Sequence, residues 1–588
     1  MNCMIKKTKA IYLFWIFLLI STSLISQVSF NYQEAADPHP DKNAKWDQIP
    51  KGLHASFANP LLKFAKGAIP ILPTQEIWNV QGWKGERVFT QIILWSADSI
   101  HKIECKFSNF LSTSSNKLPG SIARSQFVRN VLTDEFGGGC DKRKPEDFQV
   151  SLVSDVLDNS NSISLSPQTS RPVWVTIDIP FDAKPGMYNA ALTLQINSKI
   201  FTTFNIAMEV IDQQLPAPAD WNFYLDMWQN PYAVARYHKV EPWSIKHWQL
   251  LKPLMQMLAN AGQKTITATI NKRPWGTQTE DPYESMVTWV KKTNGTWAYD
   301  YSIFDKWVNF MMGLGIQKQI NCYSMVPWGN EFYYLDEKKN KEIKIEAIPG
   351  SPEYINLLTP FLKSFKDHLV KKGWNNIARL AMDERQPEQM KAMLNLVNKI
   401  APAFGISLAD DHKSYKLYPD QLKDLSISFG NTIEEADLKY RKKNKMISTF
   451  YVSCMHAFPN IHTFSSPSEA VFIPWYAMAV NLDGFLYWAY NNWVLNPLVD
   501  SRFRTWPAGD TYIVYPDARS SIRFEMLRDG IEDAEKIRIL RMKFIDNNQT
   551  EKLRMLNDLV ASFKVKERPV QLDEMIQSAQ KQLNNLSK

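Results

Sequence analysis

The stretch Ile377-Ala378-Arg379-Leu380-Ala381-Met382-Asp383-Glu384-Arg385-Gln386-Pro387 holds a short apolar run, two adjacent carboxylates and a proline. A run of this length and composition reads as a buried strand, and Pro387 can open a helix, so the carboxylates stand where a strand hands over to a loop. In proteins that alternate strands and helices, that exit is where the chemistry gathers. Two carboxylates in one site can divide into a protonated acid and an ionised partner, because each raises the other's cost of ionising. Acidic pairs are also common on solvated loops, so the surroundings have to decide.

Outward from this run the same rhythm repeats. Candidate strands are residues 221–225, 264–270, 317–324, 378–382, 406–409, 425–428, 446–452 and 484–489. Amphipathic stretches at 245–261, 303–312, 355–371, 387–400, 436–443 and 467–479 separate most of them. Eight strands alternating with helices over roughly 270 residues predict a (β/α)8 TIM barrel, with Asp383 and Glu384 ending its fourth strand. A turn-rich loop over 493–516 then leads into a long helix starting near Ser521, followed by a helical remainder.

Upstream, short β-rich runs alternate with turns: 87–95, 173–179 and 188–196 are the clearest. The last two, joined at Lys184-Pro185-Gly186, predict a hairpin-like connection in an antiparallel β-sandwich. The proline-rich Leu215-Pro216-Ala217-Pro218-Ala219-Asp220 reads as a stiff linker. The expected organisation is a signal peptide over 1–26, a sandwich over 40–214, a catalytic barrel over 221–548 and a helical C-terminal extension over 549–588.

The basic start Lys6-Lys7-Thr8-Lys9, the apolar run 10–20 and the small residues after it describe a secretory signal, so a secreted, periplasmic or cell-surface protein is expected. No later stretch is long and charge-free enough to span a membrane. With 588 residues, 45% apolar and 22% charged, the chain has the composition of a folded multidomain protein. The net charge of +8 is spread along it, and no nucleic-acid recognition motif accompanies it. Cys105, Cys140, Cys322 and Cys454 lack metal-ligand spacing and read as structural thiols or as one Cys105–Cys140 bridge. Twenty Trp, 22 Tyr and 31 Phe are many, and aromatic faces suit the apolar C–H faces of sugar rings as well as large cores.

In a barrel the residues just after each strand build the working face. Trp228 follows the first strand, Trp275 the second, and Trp328 and Asn330 the third. His412 follows the fifth, Asn460 the seventh, and Tyr487, Trp488, Tyr490 and Trp493 come with the eighth. All ten are candidate substrate-binding residues around the Asp383–Glu384 pair. The chain has no Gly-x-Ser-x-Gly elbow, P-loop or His-Glu-x-x-His. Asp410-Asp411-His412 is too sparse a set for a metal, and no cofactor is expected.

These residues resemble glycoside hydrolase family 123. The likeness is carried by Phe136-Gly137-Gly138-Gly139-Cys140, Met382-Asp383-Glu384-Arg385, Asp483-Gly484-Phe485-Leu486-Tyr487-Trp488-Ala489 and, above all, Ser521-Ile522-Arg523-Phe524-Glu525-Met526-Leu527-Arg528-Asp529-Gly530-Ile531-Glu532-Asp533. What the resemblance implies is release of terminal β-linked N-acetylgalactosamine from an amino-sugar glycan with retention, the substrate's 2-acetamido group replacing an enzyme nucleophile. It implies that Glu384 is the general acid and base, and that Asp383 holds the acetamido N–H. Gln386 departs from the family pattern, which puts a proline closer behind the triplet. A different sugar, or carbohydrate binding without turnover, are the alternatives. Arg523, Glu525, Arg528, Asp529 and Asp533 read as structural, paired along one helix and tying it to the barrel.

Overall fold

Upstream of Leu215 the alternating runs fold as two sheets. His54–Ala58, Arg87–Ser96, Thr169–Asp178, Ala123–Thr133 and Ser151–Leu157 lie side by side in that order, all antiparallel. Ile77–Lys84, Lys199–Gln214, Gly186–Ile196, Ile100–Phe107 and Ser162–Leu165 form the main path of the second sheet, in which the first pair is parallel. Residues of both, among them Phe57, Ile92, Val173, Tyr188, Leu192 and Phe204, make one apolar core. The computed structural model describes residues 32–137, 139–140 and 143–588, so the signal-peptide stretch 1–26 and Gly138 lie outside the described residues.

The expected hairpin at Lys184-Pro185-Gly186 is instead an arch. Thr169–Asp178 belongs to the first sheet and Gly186–Ile196 to the second, so the chain crosses the core there. Both runs are apolar on the face toward the core, and that pattern does not say which sheet each joins. The hairpin lies one turn later, where Ile196 pairs Lys199 across Asn197 and Ser198, both at positive φ as a tight two-residue turn requires.

All eight expected strands form one parallel sheet, with spatial order following chain order: Tyr224–Met227, Thr265–Thr269, Gln319–Tyr323, Ala378–Met382, Gly405–Asp410, Leu422–Ser428, Ile447–Tyr451 and Gly484–Tyr487. The eighth returns to the first, and the first meets the second through a single bridge, Leu225 to Gln263, so the barrel is nearly closed. Strands covered on both faces carry near-continuous apolar runs, which is why composition alone located them. Helices at Ile245–Ala259, Ser302–Gly313, Pro352–Lys372, Pro387–Ile400, Glu435–Lys443 and Pro467–Ala479 pack outside. Between the fifth and sixth strands stands only the short 3-10 turn Ser414–Lys416, a departure from strict alternation.

A second departure is a four-stranded sheet of Trp297–Asp300, Thr288–Lys291, Glu331–Asp336 and Lys341–Glu346, inserted after the second and third barrel strands. Its Trp289 stacks on Phe361 at 4.3 Å. The proline stretch after Leu215 is not a free linker. Leu215 is buried, its N–H reaches Lys84 O at 2.9 Å, and Trp221 donates its indole N–H to Pro216 O at 2.8 Å. No helix among the described residues is long and apolar enough to cross a membrane.

The C-terminal helix Ile522–Asp546 ties the barrel to the sheets as well as to itself. Arg523 bonds Asp155 of the first sheet at 2.9 Å and the Ile461 carbonyl of a barrel loop at 2.7 Å. Glu525 pairs with Arg87 of the same sheet at 3.0 Å, where pairing along the helix was expected. Within the helix, Arg528 pairs with Glu532 at 3.0 Å. The cysteines also correct the sequence reading: Cys140 is bonded to Cys454, 314 residues away, while Cys105 and Cys322 are free. That bond joins a loop of the sheet domain to the loop after the seventh barrel strand.

Candidate active site

Alternation along the fourth strand brings Ala381 to the barrel interior, and Asp383, two residues on, shares its side. One Asp383 oxygen accepts the indole N–H of Trp328 at 3.1 Å and the other the backbone N–H of Glu384 at 3.0 Å. Glu384 accepts the O–H of Tyr451, the last residue of the seventh strand. Burial, then the charge of Asp383, push the Glu384 carboxyl above its ordinary range, and the Tyr451 hydrogen bond opposes them only in part. Burial and the facing Glu384 push the Tyr451 hydroxyl strongly up as well, so it serves as a donor.

Arg385 is fixed from behind. Its Nε donates to Val326 O at 2.8 Å and its Nη1 to Glu384 O at 2.7 Å, while its guanidinium lies 4.0 Å over the Trp328 ring. Helix Pro387–Ile400 starts at the expected proline, so Gln386 occupies its N-cap and leaves the strand end and the carboxylate pair in place.

Beside the pair lies an aromatic floor. Trp228, Trp275, Tyr283, Tyr323, Tyr451 and Leu486 belong to one cluster, with Trp488 packed against it. Ring centroids are 5.0 Å apart for Trp228 and Trp275, and 4.8 Å for Tyr323 with each of them. Beneath it Asp226 accepts from Thr265 and Asn321, and burial together with Asp424 raises its carboxyl to about 7.

The candidate ring divides. Trp328 and Asn330 line a cleft with Glu384, Trp228 and Trp275 build the floor, and Trp488 borders it. His412 is exposed and pairs with Asp411 at 3.1 Å, and the charge of Asp411 is among those felt by Glu384. Four candidates are placed elsewhere, each with its polar group spent on a backbone carbonyl. Tyr487 donates to Asp510, Tyr490 to Leu254, Trp493 to Val514, and Asn460 to Ser453 and His456. The reason for Tyr487 is parity: Leu486 takes the side that meets the floor, so its neighbour faces the surrounding helices. Asp410 spends its carboxylate on the turn through Ser414 and the His412 N–H, and no metal-holding cluster occurs among the described residues. Sequence reasoning missed Tyr451, Tyr283 and Tyr323. An inward-facing Tyr at a strand's last position was the available signal for Tyr323 and Tyr451.

Residues 228–540 match the family model described as glycoside hydrolase 123, catalytic domain, and residues 58–196 match that of the glycoside hydrolase 123 N-terminal domain. The chain belongs to glycoside hydrolase family 123. Among solved structures, a family 123 glycoside hydrolase from Clostridium perfringens, described in a study of glycolipid glycan hydrolysis, is 29% identical, with a TM-score of 0.81 over 91% of this chain and 98% of that one. A family 39 glycoside hydrolase from Bacteroides cellulosilyticus WH2 is 12% identical over 64% of this chain and 76% of that one, with a TM-score of 0.30. No curated protein matches. A carbohydrate is therefore the substrate of this family 123 glycosidase, and Asp383 and Glu384 lie within the residues matched as its catalytic domain.

Proposed function

We propose that the chain is a secreted or periplasmic glycosidase that releases terminal β-linked N-acetylgalactosamine with retention, the substrate's 2-acetamido group acting as nucleophile. The observation that carries this is the unequal environment of two adjacent carboxylates. Burial and Asp383 favour the protonated form of Glu384, the state a general acid needs. Both oxygens of Asp383 instead accept N–H groups, the role required toward an acetamide.

In the first step Glu384 gives its proton to the glycosidic oxygen as the C1–O bond breaks. The acetamide oxygen closes on C1 from the opposite face, and Asp383 holds the N–H as positive charge spreads over the oxazolinium ring. A carboxylate against a developing cation stabilises most where water is excluded, and the Trp and Tyr floor supplies that dry wall. In the second step Glu384, now ionised, takes a proton from water as it attacks C1, the C1–O bond of the oxazolinium ring breaks to restore the acetamide, and the two inversions leave the configuration retained. The secretory reading draws support from the Cys140–Cys454 bond, since disulfides persist in oxidising compartments.

The test is turnover of p-nitrophenyl β-N-acetylgalactosaminide. Wild type should hydrolyse it and Glu384→Gln should not; equal rates for the two would sink the proposal. Asp383→Asn should also lose activity, and an unchanged rate would remove Asp383 from the mechanism. Within a panel of aryl glycosides, cleavage confined to sugars without a 2-acetamido group would exclude substrate assistance.

A further inference from the structure

Trp328 differs from the floor aromatics in how its ring is held. Trp228 and Trp275 are at most 4% exposed and pack into one cluster, whereas Trp328 is 39% exposed and stands outside it. An exposed indole has several rotamers open to it, and keeping one of them costs entropy. The Trp328 N–H nonetheless meets an Asp383 oxygen at 3.1 Å, so a neighbour has to fix the ring.

That neighbour is Arg385. Its guanidinium carbon lies 4.0 Å from the centre of the Trp328 ring, over the face, where a planar cation is attracted. The guanidinium cannot swing away, because Nε donates to Val326 O at 2.8 Å, Nη1 donates to Glu384 O at 2.7 Å and the residue is buried. The turn that carries Trp328 has other anchors: its backbone N–H donates to Pro274 O at 2.9 Å, and the Tyr354 hydroxyl donates to Met325 O at 2.9 Å. What Arg385 adds is therefore the placement of the ring. A closed circuit results, in which Asp383 accepts from Trp328, Trp328 lies under Arg385, and Arg385 holds the carbonyl of Glu384.

We propose that Arg385 is a positioning residue for the reaction, clamping Trp328 so that the indole N–H fixes the Asp383 carboxylate in the orientation that receives the acetamide N–H. This rests on the reading of Asp383 as the partner of the 2-acetamido group. The last torsion of an Asp side chain is broad, so a carboxylate left alone samples many rotations. A hydrogen bond weakens steeply once it is bent, so a rotated Asp383 would meet the acetamide N–H poorly. The indole fixes the rotation and leaves each oxygen a lone pair for the substrate. Only a planar fork can lie flat on the ring while donating to two carbonyls, which is why Lys would not replace Arg385.

The experiment measures kcat and KM for p-nitrophenyl β-N-acetylgalactosaminide in wild type, Trp328→Phe, Arg385→Lys and the double variant. Trp328→Phe keeps a ring and removes the N–H, and Arg385→Lys keeps the positive charge that bears on Glu384. Trp328→Phe should lower kcat by about ten- to a hundredfold, the worth of a hydrogen bond to a charged group. Arg385→Lys should lower it by about two- to tenfold, the worth of a cation–π contact. KM should stay within about threefold of wild type in both, because the Asp383 bond is needed most as charge develops. The double variant decides: with no indole N–H left to place, adding Arg385→Lys to Trp328→Phe should cost less than about twofold more. Losses that multiply would show that Arg385 acts on the fold or on Glu384 directly, and would overturn the assignment; so would a wild-type kcat in either single variant. Thermal melts check folding, and if Arg385→Lys does not fold, Arg385→Gln completes the same cycle, each variant read at its own pH optimum. If wild type does not turn over this glycoside, or Asp383→Asn is as fast as wild type, the reading of Asp383 fails and takes this assignment with it.

Discussion

At the barrel mouth Glu384 is half-buried beside another carboxylate; where helix Ile522–Asp546 meets the sheets, Glu525 is buried beside Arg87 and Arg528. Burial alone would raise both carboxyls. At Glu384 the Asp383 charge adds to burial, so its carboxyl lies above its ordinary value. At Glu525 the two guanidinium groups outweigh burial, and the carboxyl falls below its ordinary value. The sign of the neighbour decides the outcome. Opposite charges in a dry place hold two parts of the fold together, whereas like charges there keep a proton available.

The strongest way to break this comparison is Glu384→Gln. Turnover should fall by about a hundred- to ten-thousandfold, the usual worth of a positioned acid and base. Stability should move the other way. The folded-state pKa of Glu384 lies above its ordinary 4.5, so ionising it costs the folded chain more than the unfolded one. At about pH 4 and below the variant should therefore match wild type, and as pH rises through the raised pKa it should become the more stable of the two. Melting curves across pH check this, and a variant less stable than wild type at neutral pH would contradict it.

Arg523→Ala probes the other side of the comparison. It leaves Asp155, fully buried, with the Tyr515 hydroxyl at 2.6 Å and the charge of Lys63 as its partners among the described residues. Removing one partner of a buried ion pair costs about 3–5 kcal/mol, measurable by urea unfolding. The kcat of the remaining folded protein should be retained, because Arg523 does not reach the carboxylate pair.

The smallest effect sharpens the comparison most. Tyr451→Phe removes the donor that favours ionised Glu384, so the Glu384 pKa should rise further. The basic limb of the kcat/KM profile should then shift to higher pH, with a loss of about two- to tenfold at the optimum. A shift to lower pH would show that the hydroxyl acts on something other than the carboxyl.

The same division runs through what could be read beforehand. Apolar runs located all eight barrel strands, because strands covered on both faces carry their burial in their composition. The acidic pair was legible for a related reason: a strand end followed by proline has few conformations to choose from. Tyr451 was not legible, since an aromatic in a buried run looks like any other core residue until the opposite strand end is known. Nor was the Cys140 partner, because proximity between residues 314 apart has no trace in local pattern. The inserted four-stranded sheet was missed because its strands are only four to six residues long and are mostly partly or fully exposed, so they carry no buried apolar run.

The order of residues thus settled the eight barrel strands, the place of Asp383 and Glu384 at the end of the fourth, and the family likeness, all of which rest on neighbours in the chain. Only the folded chain decided that Tyr451 faces Glu384, that Arg523 reaches Asp155, that Tyr487, Tyr490, Trp493 and Asn460 leave the site, and that Gln386 borders a cleft. Those facts depend on which strand ends converge and which face each side chain takes. Convergence is a property of barrel closure and of parity along each strand, and both arise only once residues far apart in the chain have been packed together.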